Sequence, residues 1–355
     1  ERGLYKRRCD APDHDEPIIG VFPSGVSYAV YDQDFWQSDK WDPLEYGRDC
    51  DFNRSFLTQF QELLHAVPHP NLFNDNLVNS AYCNFNHGAK NCYLCFASDL
   101  NENSAYLYHT VYTKDSFDIL GCRNQESCYE TVHSEKCYRC SFVYFSEQCL
   151  NSAFLYNCRN CQYCFGCVNL RNAKYHIFNK SYPKEEYERE IKKYDLGSAA
   201  SLRENLAKSK QFLTEFPHRF ATTLHSSNVS GDYLRRAKNC HECFDVEGEA
   251  EDSKYVVYGV PGIRDCYDSY GIGLNIERGY EVTASGANVQ DVMFTAIAPS
   301  SHSVYYSYFC RASSNCFGCV GLRNKQYCIL NKQYSKDEYL NLVSRIMNHM
   351  DEMPY

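Results

Sequence analysis

Cysteine and serine recur every twelve residues through the first half of the chain, and this spacing restricts the fold more than any other feature. Rows at offsets of three, six and nine from this one hold mostly small or aliphatic residues. A period of three is neither the period of a strand nor that of a helix. The first row is Cys92, Ser104, Ser116, Cys128, Cys140, Ser152 and Cys164.

Seven such segments in register predict a narrow tube, because repeats of fixed length stack as coils. Each coil would have short sides that turn one residue inward. Twelve residues give a perimeter of at most about 40 Å at ~3.3 Å per residue, so only small side chains fit inside. Neighbouring coils would lie about 4.8 Å apart and share a parallel hydrogen-bond ladder.

A second array follows with a step of thirteen residues. Its row is Cys240, Ser253, Cys266, Gly279 and Val292, and after one shorter step it continues at Ser303 and Cys316. The segments around the two arrays repeat each other, since residues 160–187 match residues 314–339. The predicted fold is mainly β: two tandem narrow parallel β-solenoids, with coils of 12 and 13 residues and about seven coils each, closed by α-helical caps.

Three domains are predicted: an N-terminal hairpin and Trp-rich segment at 1–52, a first solenoid module at 53–197 and a second at 198–355. Each module would begin and end with a helix, because the open edges of a solenoid need caps. Asn53 is the expected N-cap of a first helix that buries Phe56, and Ser335 and Glu338 form a capping box for the last one. The aromatic rings of 1–52 are expected to pack against the first solenoid.

The segments WQSDKWDPLEYGRD, NCYLCFAS, CFGCVNLRN and ILNKQYSKDEY resemble an uncharacterised cysteine-rich repeat family from candidate-phylum bacteria. The resemblance covers nearly the whole chain. It implies a bacterial, cytoplasmic protein and brings no known activity. Family members carry an N-terminal segment like a zinc ribbon before the position of Glu1, so the numbered sequence is expected to start inside a longer product.

Three interpretations of the 21 cysteines stay open. They are buried reduced thiols, ligands of a structural zinc ion, or disulfides across the tube. If zinc is the cofactor, the expected ligands come from the cluster of Cys137, Cys140, Cys149, Cys158, Cys161 and Cys164.

An apolar row is predicted on the outside of the first array. It contains one residue per coil, namely Phe96, Tyr108, Leu120, Val132, Tyr144, Tyr156 and Val168. Each follows an inward residue, so its side chain should point outward. Because monomeric proteins rarely expose such stripes, the row predicts either intramolecular burial or an interface with a protein partner, including a second copy of the chain.

Charge and motifs restrict the functional classes. A net charge of −9 disfavours general nucleic-acid binding, and no apolar stretch is long enough to cross a membrane. No catalytic motif is present, and the best carboxylate pair, Asp118 and Glu130, is more simply a solvated face. The first hypothesis is therefore a non-enzymatic scaffold that binds a macromolecule or self-associates. The alternatives are a glycan-binding or glycan-active solenoid and a thiol redox or metal-storage protein.

Overall fold

The computed structural model describes residues 3–259, 262–272, 283–285 and 300–353, and the chain is mainly β. It divides into two compact units, each containing an array of stacked parallel coils. The predicted β-solenoid fold is confirmed. The first unit is Glu1–Arg8, Pro17–Ser24 and Asn71–His218, and the second is Cys9–Glu16, Gly25–Pro70 and Arg219–Tyr355.

In the first array, each strand pairs with the strand one coil later. Phe117 stands opposite Ala105 on one side and Tyr129 on the other, a step of twelve residues in both directions. A short antiparallel strand, Lys180–Ser181, closes the ladder. The parallel strands are Asn74–Asp75, Asn84–His87, Tyr93–Asp99, Ala105–Tyr108, Val111–Lys114, Phe117–Leu120, Arg123–Glu126, Tyr129–Val132, Ser141–Tyr144, Ala153–Tyr156, Gln162–Phe165 and Lys174–Ile177.

Each side of a coil is three residues long, as the sequence predicts. One residue faces the lumen, the next faces outward, and the third turns the corner with a left-handed backbone. The corner has positive φ at every third position from Asn91 to Phe178. Its N–H donates to the previous coil, as His109 N does to Phe96 O at 3.2 Å. Asn and Gly accept this conformation most readily, and both recur at the corners.

The second array has coils of different lengths, because its first strands pair at steps of eleven and then twelve residues. Val257 stands opposite Phe244 and Tyr270, which confirms the step of thirteen in the coils that follow. The strands are Thr223–Leu224, Gly231–Lys238, Cys243–Glu251, Val257–Gly259, Ile263–Arg264, Tyr270–Ile272, Thr283–Ser285, His302–Tyr305, Ser314–Phe317, Gln326–Ile329 and the closing Lys332–Gln333.

The structure corrects the end of the predicted row in the second array. Cys316 stands opposite Val304 and Cys328, so the last coils have twelve residues. Ser303 is a corner residue with φ of 51° instead of a lumen residue. The three-residue side places the buried Ser301, Val304 and Ser307 inward in turn. Gly279 and Val292 lie outside the described residues.

Five α-helices are described: α1 Gln33–Gln37, α2 Phe56–Ala66, α3 Lys184–Glu190, α4 Ala199–Leu213 and α5 Lys336–Glu352. Short 3-10 helices occupy Pro43–Tyr46 and Ile191–Lys193. The N-cap of α2 is Ser55, whose hydroxyl accepts from Thr58 N at 3.3 Å, and not the predicted Asn53. The capping box of Ser335 and Glu338 at α5 is confirmed.

Helices cover the last coils of both arrays. In the first unit, residues of α3 and α4 pack on a cluster that contains Phe154 and Phe165. In the second unit, α2 and α5 surround Phe317 and Ile329. The duplication is visible in equivalent ring contacts of the two units. In the first unit the His218 ring lies 5.3 Å from the Tyr156 ring, and in the second the His69 ring lies 5.2 Å from the Tyr308 ring.

Helix α2 differs from the predicted division, which placed it with the first solenoid at 53–197. It belongs to the second unit, where the Phe56 ring lies over Gly318. A Cβ at Gly318 would come within 2.3 Å of that ring, so glycine makes the contact possible. Both arrays end in similar apolar coils, and sequence order alone therefore does not say which array a helix covers.

The Trp-rich segment also packs within the second unit, instead of on the first solenoid. The Arg323 guanidinium lies 5.7 Å from the Trp36 ring and 5.5 Å from the Trp41 ring, and Trp36 Nε1 donates to Pro68 O at 2.8 Å. The predicted N-terminal hairpin, which would join PIIGVF (17–22) to VSYAVY (26–31), is not the pairing observed, because Pro17–Gly20 pairs with Tyr5–Arg8.

Candidate functional site

Hydroxyl groups in the lumen of the first array accept hydrogen bonds from the backbone N–H groups that point inward. Ser116 Oγ donates to Lys114 O at 2.7 Å and accepts from Cys128 N at 3.0 Å. Ser152 accepts in the same way from Cys164 N at 3.0 Å. Buried backbone groups need such partners. The row therefore requires a small side chain that both donates and accepts, which explains why serine occupies it.

The cysteines take similar positions as free thiols. All 21 are free, and all except Cys50 are buried. Cys140 Sγ donates to Tyr138 O at 3.4 Å and, across the lumen, to Cys149 O at 3.4 Å. Buried reduced thiols, one of the three interpretations, are the state that the structure contains. A thiol here acts as a slightly larger serine.

The six predicted zinc ligands all line this lumen and are all buried. Each thiol donates to the carbonyl two residues earlier, at distances such as 3.6 Å for Cys137 and 3.4 Å for Cys161. Within the described ranges, no group of three or more His, Cys, Asp or Glu side chains is placed to hold a metal ion. Zinc at these thiols remains a hypothesis, which metal analysis tests.

The environment separates the thiols by their acidity. Burial raises the pKa of Cys122 to about 11. The Cys128 thiol, by its hydrogen bond, is the main cause that raises the pKa of Cys140 to about 12. The pKa of Cys161 is lowered, first because the Cys149 thiol hydrogen-bonds to it. Hydrogen bonds from neighbouring thiols would therefore favour a thiolate in this cluster.

Two outward faces of the first array carry ladders of charge. Lys90 stands opposite Glu102 on the next coil, and their side chains form an ion pair at 3.3 Å. On the other charged face, Glu147 pairs with Arg159 at 2.7 Å. Such pairs contribute little to stability but keep these faces hydrated. The remaining outward rows are the apolar ones.

The seven predicted binding residues form one outer row, as the register shows. Leu120 is exposed, with 38% of its surface accessible, and Val168 is buried. The other five are half-buried, and Tyr156 lies against His218 of the same unit. One end of the row is thus covered by the chain itself. Its role as an interface stays a prediction.

A second outer row, which sequence reasoning missed, is more exposed. We call it the aromatic ladder. Rings contact from coil to coil at 5.4 Å between Tyr82 and Tyr93 and at 6.0 Å between Tyr93 and Tyr106. Tyr129 continues to Phe142 at 5.5 Å. The ladder consists of Tyr82, Tyr93, Tyr106, Phe117, Tyr129, Phe142, Phe154 and Phe165.

Exposure changes abruptly along the aromatic ladder. Its first five rings, from Tyr82 to Tyr129, are 42–51% exposed. The next three, from Phe142 to Phe165, are 2–6% exposed, because α3 and α4 cover them. A signal for the ladder was present in the residues after the Cys92 row, which include Tyr93, Phe117 and Tyr129. It was missed because three of the eight rings, those of Tyr106, Phe142 and Phe154, stand at left-handed corners, which a simple in–out alternation does not place outside.

Two carboxylates interrupt the exposed part of the aromatic ladder. Asp118 and Glu130 occupy corners of adjacent coils, with φ of 58° and 51°. Tyr144 Oη donates to Glu130 Oε1 at 3.2 Å. Burial, followed by the charge of Glu130, raises the pKa of Tyr144 to about 12, so this tyrosine is a stable hydrogen-bond donor. The carboxylates sit beside rings on an open face and not in a closed cleft.

No protein-family model and no curated protein matches the sequence. Among solved structures, the chain is similar to a putative acetyltransferase from Desulfovibrio desulfuricans G20, at 11% identity over 63% of this chain and 66% of that chain, with a TM-score of 0.13. The match thus spans just under two thirds of that protein. A likeness of this size carries no argument about activity. In the described part of the chain, no helix is long and apolar enough to cross a membrane.

Proposed function

We propose that the protein is a non-enzymatic β-solenoid scaffold that binds a protein partner along the apolar side of its first array. One observation carries the proposal: the aromatic ladder is covered by helices over its last three rings and open over its first five. The same kind of aromatic surface that packs against α3 and α4 is therefore exposed to solvent over the first five rings. Exposed apolar stripes of this kind mark interaction sites.

The cysteines support a structural role for the interior, which leaves recognition to the outer faces. Their thiols are hydrogen-bonded to backbone carbonyls and packed in the lumen with aliphatic side chains such as Leu107 and Ile119. Redox or metal-storage chemistry would need thiols that a reagent or ion can reach. The predicted outer row from Phe96 to Val168 lies beside the ladder and would widen the same interface through Leu120.

Photo-crosslinking tests the proposal. A p-benzoylphenylalanine residue replaces Phe117 in one protein and Tyr112, which is 58% exposed on another face, in the control. Illumination of each protein, alone and in extracts of its source, is expected to give polypeptide adducts from position 117 and few from 112. Equal adducts from both positions, or none from 117, would contradict the proposal. Adducts to a second copy of the chain would identify self-association.

Glycan binding is the second candidate, because carboxylates beside exposed rings can also bind sugars. Asp118 and Glu130 offer hydrogen-bond acceptors next to Phe117 and Tyr129. A glycan microarray with the wild-type protein and with Phe117→Ser separates the two candidates. A glycan signal that disappears in the variant, without crosslinked polypeptide, would favour the sugar.

A further inference from the structure

The open part of the aromatic ladder continues a surface that already binds helices. In the covered part, the Tyr194 ring lies 4.7 Å from Phe165, and Leu202 and Leu206 of α4 pack on the same cluster. Leu202 and Leu206 are four residues apart and so share one face of the helix. The chain thus shows which secondary structure the ladder accommodates: an amphipathic helix with its apolar face inward.

The length of the open part suits a helix of ordinary size. From Tyr82 to Tyr129 the ladder crosses four coil steps, which is about 19 Å at ~4.8 Å per step. A helix rises ~1.5 Å per residue, so about 13 residues would span it. α4, with 15 residues, is of similar length. Tyrosine and phenylalanine rings are typical anchors of helix-binding grooves.

The charges beside the open part of the ladder further restrict which kind of helix could bind there. Asp118 and Glu130 stand near the end of the open part that borders the covered one. Within the described residues, no Lys, Arg or His side chain forms an ion pair with either carboxylate. Other outward carboxylates of this array do have such partners, as Glu102 and Glu147 show. Glu130 accepts a hydrogen bond from Tyr144, but no cation in the described part of the chain neutralises either carboxylate, so the two charges beside the rings complement a cationic side chain.

We propose that the open part of the aromatic ladder is a docking surface for an amphipathic helix of a partner protein that carries Lys or Arg beside its apolar face. This inference rests on the proposed function and specifies its partner. The rings from Tyr93 to Tyr129 hold the apolar face of the helix, and Asp118 and Glu130 select the cation. Electrostatic selection of this kind sets specificity more than affinity.

A peptide of residues 198–216, which contains α4, is the probe, because the chain already packs this sequence on the covered rings. A second peptide with Lys208→Glu and Lys210→Glu is its charge-reversed control. Fluorescence anisotropy measures the binding of each labelled peptide to the full-length protein. We expect the native peptide to bind at least tenfold more tightly than the reversed one, and the preference to weaken at high salt.

Protein variants locate the site. Phe117→Ser with Tyr129→Ser is expected to weaken binding of the native peptide more than tenfold, whereas Tyr112→Ser leaves binding unchanged. Asp118→Asn with Glu130→Gln is expected to remove the preference between the two peptides and to keep residual binding. These side chains are exposed or half-exposed, and a thermal melt of each variant verifies its fold.

The outcomes separate this inference from the function on which it rests. If neither peptide binds, or if both bind equally to the wild-type protein, the charged helix is wrong, while crosslinking from position 117 would still support a protein partner. Loss of that crosslinking would overturn both. If the wild-type protein binds a cello-oligosaccharide and Phe117→Ser abolishes that binding, the ligand of this surface is a sugar and the helix proposal is wrong.

Discussion

A single lumen serine shows how the repeat is selected. Ser116 is fully buried and holds two backbone groups, Lys114 O and Cys128 N. Ser116→Ala leaves the Cys128 N–H buried without an acceptor and is expected to cost about 1–3 kcal/mol. Ser116→Cys should cost less, because cysteine occupies the same row, and Ser116→Phe should prevent folding by overpacking.

Urea unfolding monitored by circular dichroism measures these differences. The control is Ser127→Asn, at an exposed corner with φ of 54°, which should change the free energy of unfolding by less than about 0.5 kcal/mol. If Ser116→Ala proved as neutral as the corner variant, the lumen hydrogen bonds would have no role in stability.

Alkaline pH is expected to destabilise the lumen by ionising its buried thiols. Burial holds the pKa of Cys122 at about 11, whereas an unfolded thiol ionises near pH ~8.5. The stability contributed by the protonated thiol is complete below the unfolded pKa and is lost as pH rises towards the folded one. Between these values the free energy of unfolding should fall by about 1.4 kcal/mol per pH unit for this group.

Cys122→Ser removes that titration and keeps a hydrogen-bonding side chain in place. Unfolding in urea at a series of pH values from 7 to 11 is expected to show a shallower decline for the variant than for the wild type. Parallel curves for the two proteins would mean that Cys122 does not resist ionisation.

At the scale of the helices, the last cap is held by its capping box. Ser335 Oγ accepts from Glu338 N at 3.3 Å, and Glu338 Oε2 accepts from Ser335 N at 3.0 Å. Ser335→Ala is expected to destabilise α5 by about 0.5–2 kcal/mol. Hydrogen exchange over 336–352 measures this change. Ser344→Ala, at an exposed position inside the same helix, should be neutral or slightly stabilising, since alanine favours helices.

Elements differ in how far the sequence predicts them. Coil length, inward rows and parallel stacking follow from the spacing of residues such as Cys92, Ser104 and Ser116, because a narrow tube tolerates few side chains. The corners do not follow, since rings as large as Tyr106 adopt the left-handed conformation there. For that reason the outer row at Leu120 is predictable, whereas the more exposed aromatic ladder is not.

At the scale of the molecule, the assignment of α2 to the second unit has a consequence. Phe56 is fully buried, with its ring 5.0 Å from Phe317. Phe56→Ala is expected to cost about 3–5 kcal/mol. Hydrogen exchange should increase over 302–352 and remain unchanged over 92–178. An increase in hydrogen exchange confined to the first array would contradict this assignment and support the predicted module at 53–197.

The order of helices and arrays could be predicted at this scale, but their partners could not. Residues 160–187 and 314–339 repeat each other, so both arrays present similar last coils to any capping helix. The choice depends on contacts such as Phe56 over Gly318, which involve residues far apart in the sequence. The spacing gives only weak support to zinc at the lumen cysteines, because any two cysteines at neighbouring inward positions form a CxxC pair.

Free thiols in the lumen are tested most directly by counting reactive cysteines with iodoacetamide and mass spectrometry, on protein purified without reductant or added metal. In the folded protein, only Cys50 should react readily, because the other 20 thiols are buried. After unfolding without reductant, all 21 should be alkylated and metal analysis should find no stoichiometric zinc. A deficit of modified cysteines in pairs, or about one zinc ion per chain that is lost in Cys161→Ser, would contradict the free-thiol lumen.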